Sequence, residues 1–404
     1  MSDVIALPGN RPRVAPKLKI GLLRLTDSAP VIVAHEFGFF AEEELDVELS
    51  VEPSWANIAD KLAYGFLDAA VILPPLAFAI TLGVRGAPQP LLIPYVLSLG
   101  GNTITLARDL AALVRATAMR DGISMAQAFA ACYRRTGESP VLAVVHAYST
   151  HNLLLRYWLA TANVVAERDV TLSVVPPARM AEALERGRII GFCAGAPWGE
   201  VAARAKVGAT VATSHHIWRN APEKAFAVRQ GWAERHPEDL HRALRALFRA
   251  SKFCDAPENA SYTAALLSKK RYLDVSSHAI LSSLPGAASI DSASVFHRGL
   301  ATYPWRSQAL WFLSQLTRWG LLDASLLARA VAERVYRPDV YKAALAPLGA
   351  PIPFSEMKRE GEHAEAWSLP ASPAPVAMGA DLFCDGAVFD PALAPQPQVR
   401  ERAR

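Results

Sequence analysis

The stretch Glu52–Pro75, EPSWANIADKLAYGFLDAAVILPP, reads as a helix followed by a buried strand. Ile58, Leu62 and Ala63 fall on one side at helical spacing, while Asp60 and Lys61 face out. Ser54 suits the N-cap, because its hydroxyl can accept from a first-turn N–H that has no helical partner. The run DAAVILPP is short, apolar and closed by Pro74–Pro75, as expected of a strand covered on both faces. Trp55 is left in the first helical turn, at the exit of the preceding strand. A ring placed there either staples onto the surface of its lobe or stacks on a planar ligand.

Working outward, KIGLLRL and DVELSVE have strand character and APVIVAHEFGFFAEEE has helical character, so the first part of the chain alternates. Such alternation implies βαβ units and a largely parallel sheet, whose ligands meet the carboxyl ends of the strands. After the turn GVRGAPQP, the extended run Leu91–Ala107 (LLIPYVLSLGGNTITLA) carries a Gly-Gly break and reads as a crossing between lobes. A second alternating block follows: a helix near Met125–Arg135, then VLAVVHA, HNLLLRYWLATAN, DVTLSVVPP, ARMAEALERGR, IIGFCAG and ATVATSH. A return crossing is expected near Pro222–Arg229, followed by an amphipathic helix and a mostly helical segment from 240 to 350. The expected division is an extension at 1–17, lobe 1 at 18–100 and 226–369, lobe 2 at 101–225, and a tail at 370–404. The tail is rich in Pro and Ala and is expected to be partly extended and partly disordered at its end.

A chain of 404 residues is too long for one compact core and comfortable for two lobes. Its 51% apolar and 20% charged content is that of a soluble globular protein. The net charge of +4 comes from 42 basic and 38 acidic side chains with no long basic run, which argues against a nucleic-acid-binding surface. The apolar run Ala69–Val84 is too short to span a membrane and is broken by Pro74–Pro75. The N-terminus shows no secretory signal pattern, so a cytoplasmic protein is expected. Cys132, Cys193, Cys254 and Cys384 lack CxxC spacing, which removes the usual zinc and dithiol signatures and leaves reduced, structural thiols as the expectation.

The sequence lacks the GxSxG, HExxH, GxxxxGK[ST] and strand-linked GxGxxG motifs. No enzyme, cofactor or metal site is therefore expected, and positions that could hold a small anion remain. In YSTHNLLLRYWLA, Ser149 or Thr150 can cap a helix with Leu154, Tyr157 and Trp158 on its apolar face, and the free N–H groups of that turn favour an anion. His151 beside it could donate a hydrogen bond, or carry charge when protonated; it could equally be a solvated or capping residue. Asn102 lies in the Gly-Gly break and Lys224 just before the return crossing, where turn-forming and solvent-facing roles are the plain alternatives. Gly195–Trp198 (GAPW) ends a buried strand and could pack the lobe edge.

In combination, LTDSAPVIVAHEFGFF, PSWANIADKLAYG, STHNLLLRYWLA, FCAGAPWG and IWRNAPEKAFAV resemble the nitrate- and bicarbonate-binding proteins of ABC transporters, over roughly residues 18–340. The resemblance implies an α/β fold of the type II periplasmic-binding-protein clamshell kind, with two lobes, two crossings and a helical C-terminal part. It places the family's pocket tryptophan on Trp55, its amide on Asn102, its histidine on His151 with Thr150 beside it, and its lysine on Lys224. Without an evident leader, the chain looks most like the family's cytoplasmic nitrate/nitrite sensors. Those hold a response-regulator-like RNA-binding antiterminator until nitrate or nitrite arrives. The alternative is the solute-binding component of a nitrate or bicarbonate transporter. Ala196 stands where transporter members often carry an acid, and the family's bicarbonate binders are associated with calcium, so nitrate or nitrite without metal is expected. The thiamine-pyrimidine synthases, distantly similar in fold, would call for a cysteine-rich loop, and none is evident.

Overall fold

The computed structural model describes residues 17–84, 86–133, 140–326 and 329–393. The expected N-terminal extension, Lys17 aside, lies outside them, as do Arg134, Arg135 and the last residues of the tail.

Ten strands build two sheets: β1 (Leu18–Leu22), β2 (Val47–Val51), β3 (Ala69–Ile72), β4 (Leu91–Val96), β5 (Asn102–Ala107), β6 (Val141–Val144), β7 (Thr171–Val174), β8 (Gly191–Gly195), β9 (Gly208–Thr213) and β10 (Ala225–Arg229). Lobe 1 has the order β2-β1-β3-β10-β4 and lobe 2 the order β7-β6-β8-β5-β9. Three strands of each sheet are parallel, as the alternating sequence requires. The expectation of largely parallel sheets is corrected at β5 and β10, which run antiparallel to both neighbours. The reason is geometric: both enter their sheets from a crossing, so they run away from the cleft toward which β1, β3, β6 and β8 point.

The crossings lie side by side. Leu97 N–H donates to the Lys224 carbonyl (2.7 Å), Glu223 N–H to Ser98 (2.9 Å) and Gly100 N–H to Ala221 (2.8 Å). Gly100 and Gly101 have φ of 73° and 79°, a left-handed turn that a side chain would strain. At Gly101 a Cβ would also stand 2.4 Å from Ser294 Oγ.

The helix Pro237–Asp255 buries Leu240, Ala243, Leu244, Leu247, Ala250 and Cys254 along one face, against the helix Ala29–Glu36. Each buried leucine contributes about 1.5–3 kcal/mol. The helix Arg306–Arg318 packs on both Pro74–Thr81 of lobe 1 and Thr150–Ala160 of lobe 2. A short helix, Trp198–Arg204, stands where the sequence reading passes from strand to strand. Its Gly199 and its brevity leave little helical periodicity to detect. All four cysteines are free thiols.

The described part of the tail, up to residue 393, carries more regular structure than its composition suggests. Trp367–Leu369 pairs with Val376–Met378, and Ile352–Pro353 pairs with Ala371–Ser372. Phe383 stacks on Trp218 (4.7 Å between centroids) and Tyr157 (5.5 Å), and the Tyr157 hydroxyl donates to Asp385 at 2.9 Å. Aromatic area, which a Pro/Ala count hides, fastens the tail to lobe 2. No described helix is long and apolar enough to cross a membrane.

Candidate functional site

The lobes meet at the carboxyl ends of β1, β2 and β8. Thr26 N–H donates to the Ala196 carbonyl (2.9 Å), and Trp198 Nε1–H donates to the Arg24 carbonyl (2.9 Å). The GAPW segment therefore joins the lobes rather than packing one edge. Gly195 lies at the same seam: a Cβ there would come into ordinary contact, at 3.4 Å, with both Asp27 Oδ2 and His151 Nε2.

Two helices bring their N-termini to this seam. Ser54 caps Trp55–Ala63 by accepting from Asn57 N–H (3.2 Å), and Ser149 caps Thr150–Ala160 by accepting from Asn152 N–H (3.0 Å). Trp55 and Thr150 are thus the first residues of their helices, one from each lobe. Trp55, which its helix-start position would leave on the surface of its lobe, is only 1% exposed. Lys224 Nζ stands 5.6 Å from its ring centroid.

Lys224 is wholly buried between two carboxylates that the sequence reading did not select. Its Nζ lies 2.8 Å from Asp27 Oδ2 and donates to Glu223 Oε1. Asn102 Nδ2 donates to Glu223 Oε2, and His151 Nε2 lies 3.5 Å from Glu223 Oε1. Lys224, Asn102, Thr150 and His151 are all brought together with Trp55 and are all buried. Asp27 could have been sought from its place in the turn after β1, where strand exits gather ligands. Glu223 could have been sought as the first charge of PEK, set directly before the apolar run of β10.

Burial disfavours the Lys224 ammonium, but Asp27 and Glu223 outweigh it and hold its pKa above the ordinary lysine value. Burial raises both carboxyls, with Lys224 opposing it in each case. Burial, then the nearby Lys224 charge, pushes His151 well below 6.5. Burial therefore favours the neutral imidazole of His151 in the closed cleft over the protonated form, and the neutral ring can donate one hydrogen bond.

Around this cluster, Asp27 Oδ1, Trp55 Nε1, Asn102 Oδ1, Thr150 Oγ1 and both ring nitrogens of His151 are buried without a hydrogen-bond partner in the protein. An unmet buried polar group costs about 1–3 kcal/mol, so such a concentration is a poor way to build stability and a good way to receive a polar ligand. Among the described residues no group of three or more His, Cys, Asp and Glu is placed to hold a metal ion.

Two α/β lobes closed over a buried polar cluster, hinged on paired crossings, define a ligand-binding clamshell of the periplasmic-binding-protein fold. The chain belongs to the NMT1-like family, matched over residues 12–268, and within it to the NrtA kind of solute-binding protein. It is 31% identical to the nitrate/nitrite binding protein NrtA of Synechocystis, over 95% of this chain and 84% of that protein. The crystal structure of the periplasmic nitrate-binding NrtA of Synechocystis superposes with a TM-score of 0.80 at 29% identity, covering 95% of this chain and 97% of that one. The chain is also 36% identical to the bicarbonate transport ATP-binding protein CmpC of Synechococcus elongatus, over 82% of its own residues and 50% of that protein. It spans about half the length of the ATP-binding proteins it matches.

Proposed function

We propose that this protein binds nitrate or nitrite in the interlobe cleft and acts as a cytoplasmic sensor of the NasS type, not as an enzyme. The observation that carries the binding reading is the ring of unpartnered donors, Trp55 Nε1, Thr150 Oγ1 and His151, around the Lys224 ammonium. A flat monoanion fits that set: Trp55 offers a face and an edge donor, the two helix N-termini offer partial positive charge, and Lys224 offers full charge. Groups from both lobes and both crossings would contact it, so occupancy favours the closed form. A partner that prefers the open form is then released by linkage.

Under this reading, the partner is an RNA-binding antiterminator of the response-regulator kind, bound in the absence of anion. Calorimetric titration with nitrate, nitrite and bicarbonate tests the binding, and micromolar nitrate affinity is expected. Size-exclusion of the two proteins across a nitrate titration tests the switch. A complex indifferent to nitrate, or one that needs it, rejects the sensor and leaves the solute-binding role of a transporter.

One observation favours a second ligand. Asp27 Oδ1 is an unmet acceptor, which nitrate cannot satisfy and which the O–H of bicarbonate can. Binding of bicarbonate in preference to nitrate in the same titration selects that reading.

A further inference from the structure

For an anion site, the cleft carries an excess of negative charge. Lys224 is one ammonium between two carboxylates, Asp27 from lobe 1 and Glu223 from the second crossing. The other titratable groups that face them are His151 and Cys193 of lobe 2, and burial keeps both uncharged. With both carboxylates ionised the cluster is net negative before any ligand enters. A monoanion would add like charge in a closed cleft, where repulsion is poorly screened.

Hydrogen bonds distinguish the two acids. Glu223 accepts at both oxygens, from Lys224 at Oε1 and from Asn102 Nδ2 at Oε2, and these bonds favour its carboxylate against the burial that raises it. Asp27 faces Lys224 through Oδ2 only, and its Oδ1 is buried with no donor. We propose that nitrate enters together with one proton from solvent, which settles on Oδ1 of Asp27. The proton turns an acceptor that repels the anion into an O–H that can donate to it, and it restores the charge balance of the cleft. Burial already raises the Asp27 carboxyl, and an anion beside it raises it further. Asp27 thereby sets specificity: an anion without a proton is admitted with one, whereas bicarbonate brings its own. The inference rests on the cleft being the nitrate site.

The test uses the full chain and nitrate, which does not itself titrate near neutrality. Between pH 7.5 and 8.5, where His151 is essentially neutral in open and closed forms alike, the nitrate Kd should rise with pH, by up to roughly tenfold per unit. Calorimetry at pH 7.5 in buffers of different ionisation enthalpy should show net proton uptake approaching one per nitrate. Asp27→Asn, whose amide donates at every pH, should abolish both the slope and the uptake, while Glu223→Gln should keep the slope. Nitrate binding that is flat in pH with no buffer-dependent heat overturns the proposal and leaves the binding reading intact. A slope lost in Glu223→Gln and kept in Asp27→Asn also overturns it. Absence of nitrate binding at every pH rejects the binding reading, and the proposal with it.

Discussion

Two lysines in this protein each hold a pair of carboxylates away from water, and the two clusters differ in what they leave unmet. Lys358, against the tail, lies 2.5 Å from Glu360 Oε2 and 3.1 Å from Asp381 Oδ2. The remaining oxygens there are taken: Ser307 donates to Glu360 Oε1 (2.6 Å), and His363 N–H donates to Asp381 Oδ1 (2.8 Å). Lys224, in the cleft, has equally buried acids, but its neighbourhood keeps donors and acceptors without partners. Charge and burial alone do not tell a clasp from a binding site. The satisfaction of the surrounding hydrogen bonds does.

Substitutions can break that contrast. The largest effect is expected from Lys358→Met, which strands two buried carboxylates and should lower unfolding stability by about 3–5 kcal/mol in a denaturant titration. Nitrate affinity of the folded fraction should stay within twofold. A tenfold loss would show that the two clusters are coupled. Lys224→Met should do the reverse, weakening nitrate binding by about 1.5–3 kcal/mol, roughly ten- to a hundredfold by calorimetry. Its effect on unfolding is smaller, because an open cleft lets Asp27 and Glu223 reach water.

The acid side of the pH profile sharpens the comparison further. Burial depresses His151, so closure around a ligand excludes a proton that the open form accepts at its ordinary pKa. Below pH 6.5 that exclusion offsets the proton taken up at Asp27, so the nitrate Kd, which falls as pH falls toward 6.5, should level off below it. His151→Asn should remove the levelling and let Kd go on falling, and a plateau that persists in the variant assigns it to another group. Trp55→Phe keeps an apolar face and loses the Nε1–H donor, so nitrate should bind about 0.5–1.5 kcal/mol more weakly. The smallest effect is expected at the exposed pair Lys17–Asp46, 3.9 Å apart with the side chains 56% and 51% exposed. There Lys17→Met should change stability by only about 0–1 kcal/mol.

What could be read from sequence was local. Ser54 and Ser149 announce their helices by chemistry within three residues, and the crossings are marked by Gly100–Gly101 and by the polar break before β10. What could not be read depends on distant pairing. Asp27 and Lys224 belong to different ends of the lobe-building sequence, and nothing in either neighbourhood names the other. Trp55 opens its helix at a strand exit, and neither its burial nor the approach of Lys224 Nζ to 5.6 Å from its ring centroid is visible in the local sequence. The antiparallel course of β5 and β10 follows from which side of a sheet the chain enters, which strand composition does not encode. The tail was hidden by composition: its prolines and alanines outnumber Phe383 and Asp385, yet those two, with Asp381 in the Lys358 clasp, are among the contacts that fasten it.

The place of β10 in the first sheet also sets an order of events during synthesis. Lobe 2 takes all its strands from one continuous segment, β5 to β9, and can complete its sheet as that segment leaves the ribosome. Lobe 1 cannot, because β10 lies between β3 and β4, which do not pair with each other. Until residue 229 emerges, β3 and β4 present open edges, the kind that invite wrong pairing. The half of the molecule made first is thus finished second. Glu223 and Lys224 directly precede β10, so the insertion that seals those edges also delivers the charged centre of the cleft, and a nascent chain acquires its binding site only when its last sheet closes.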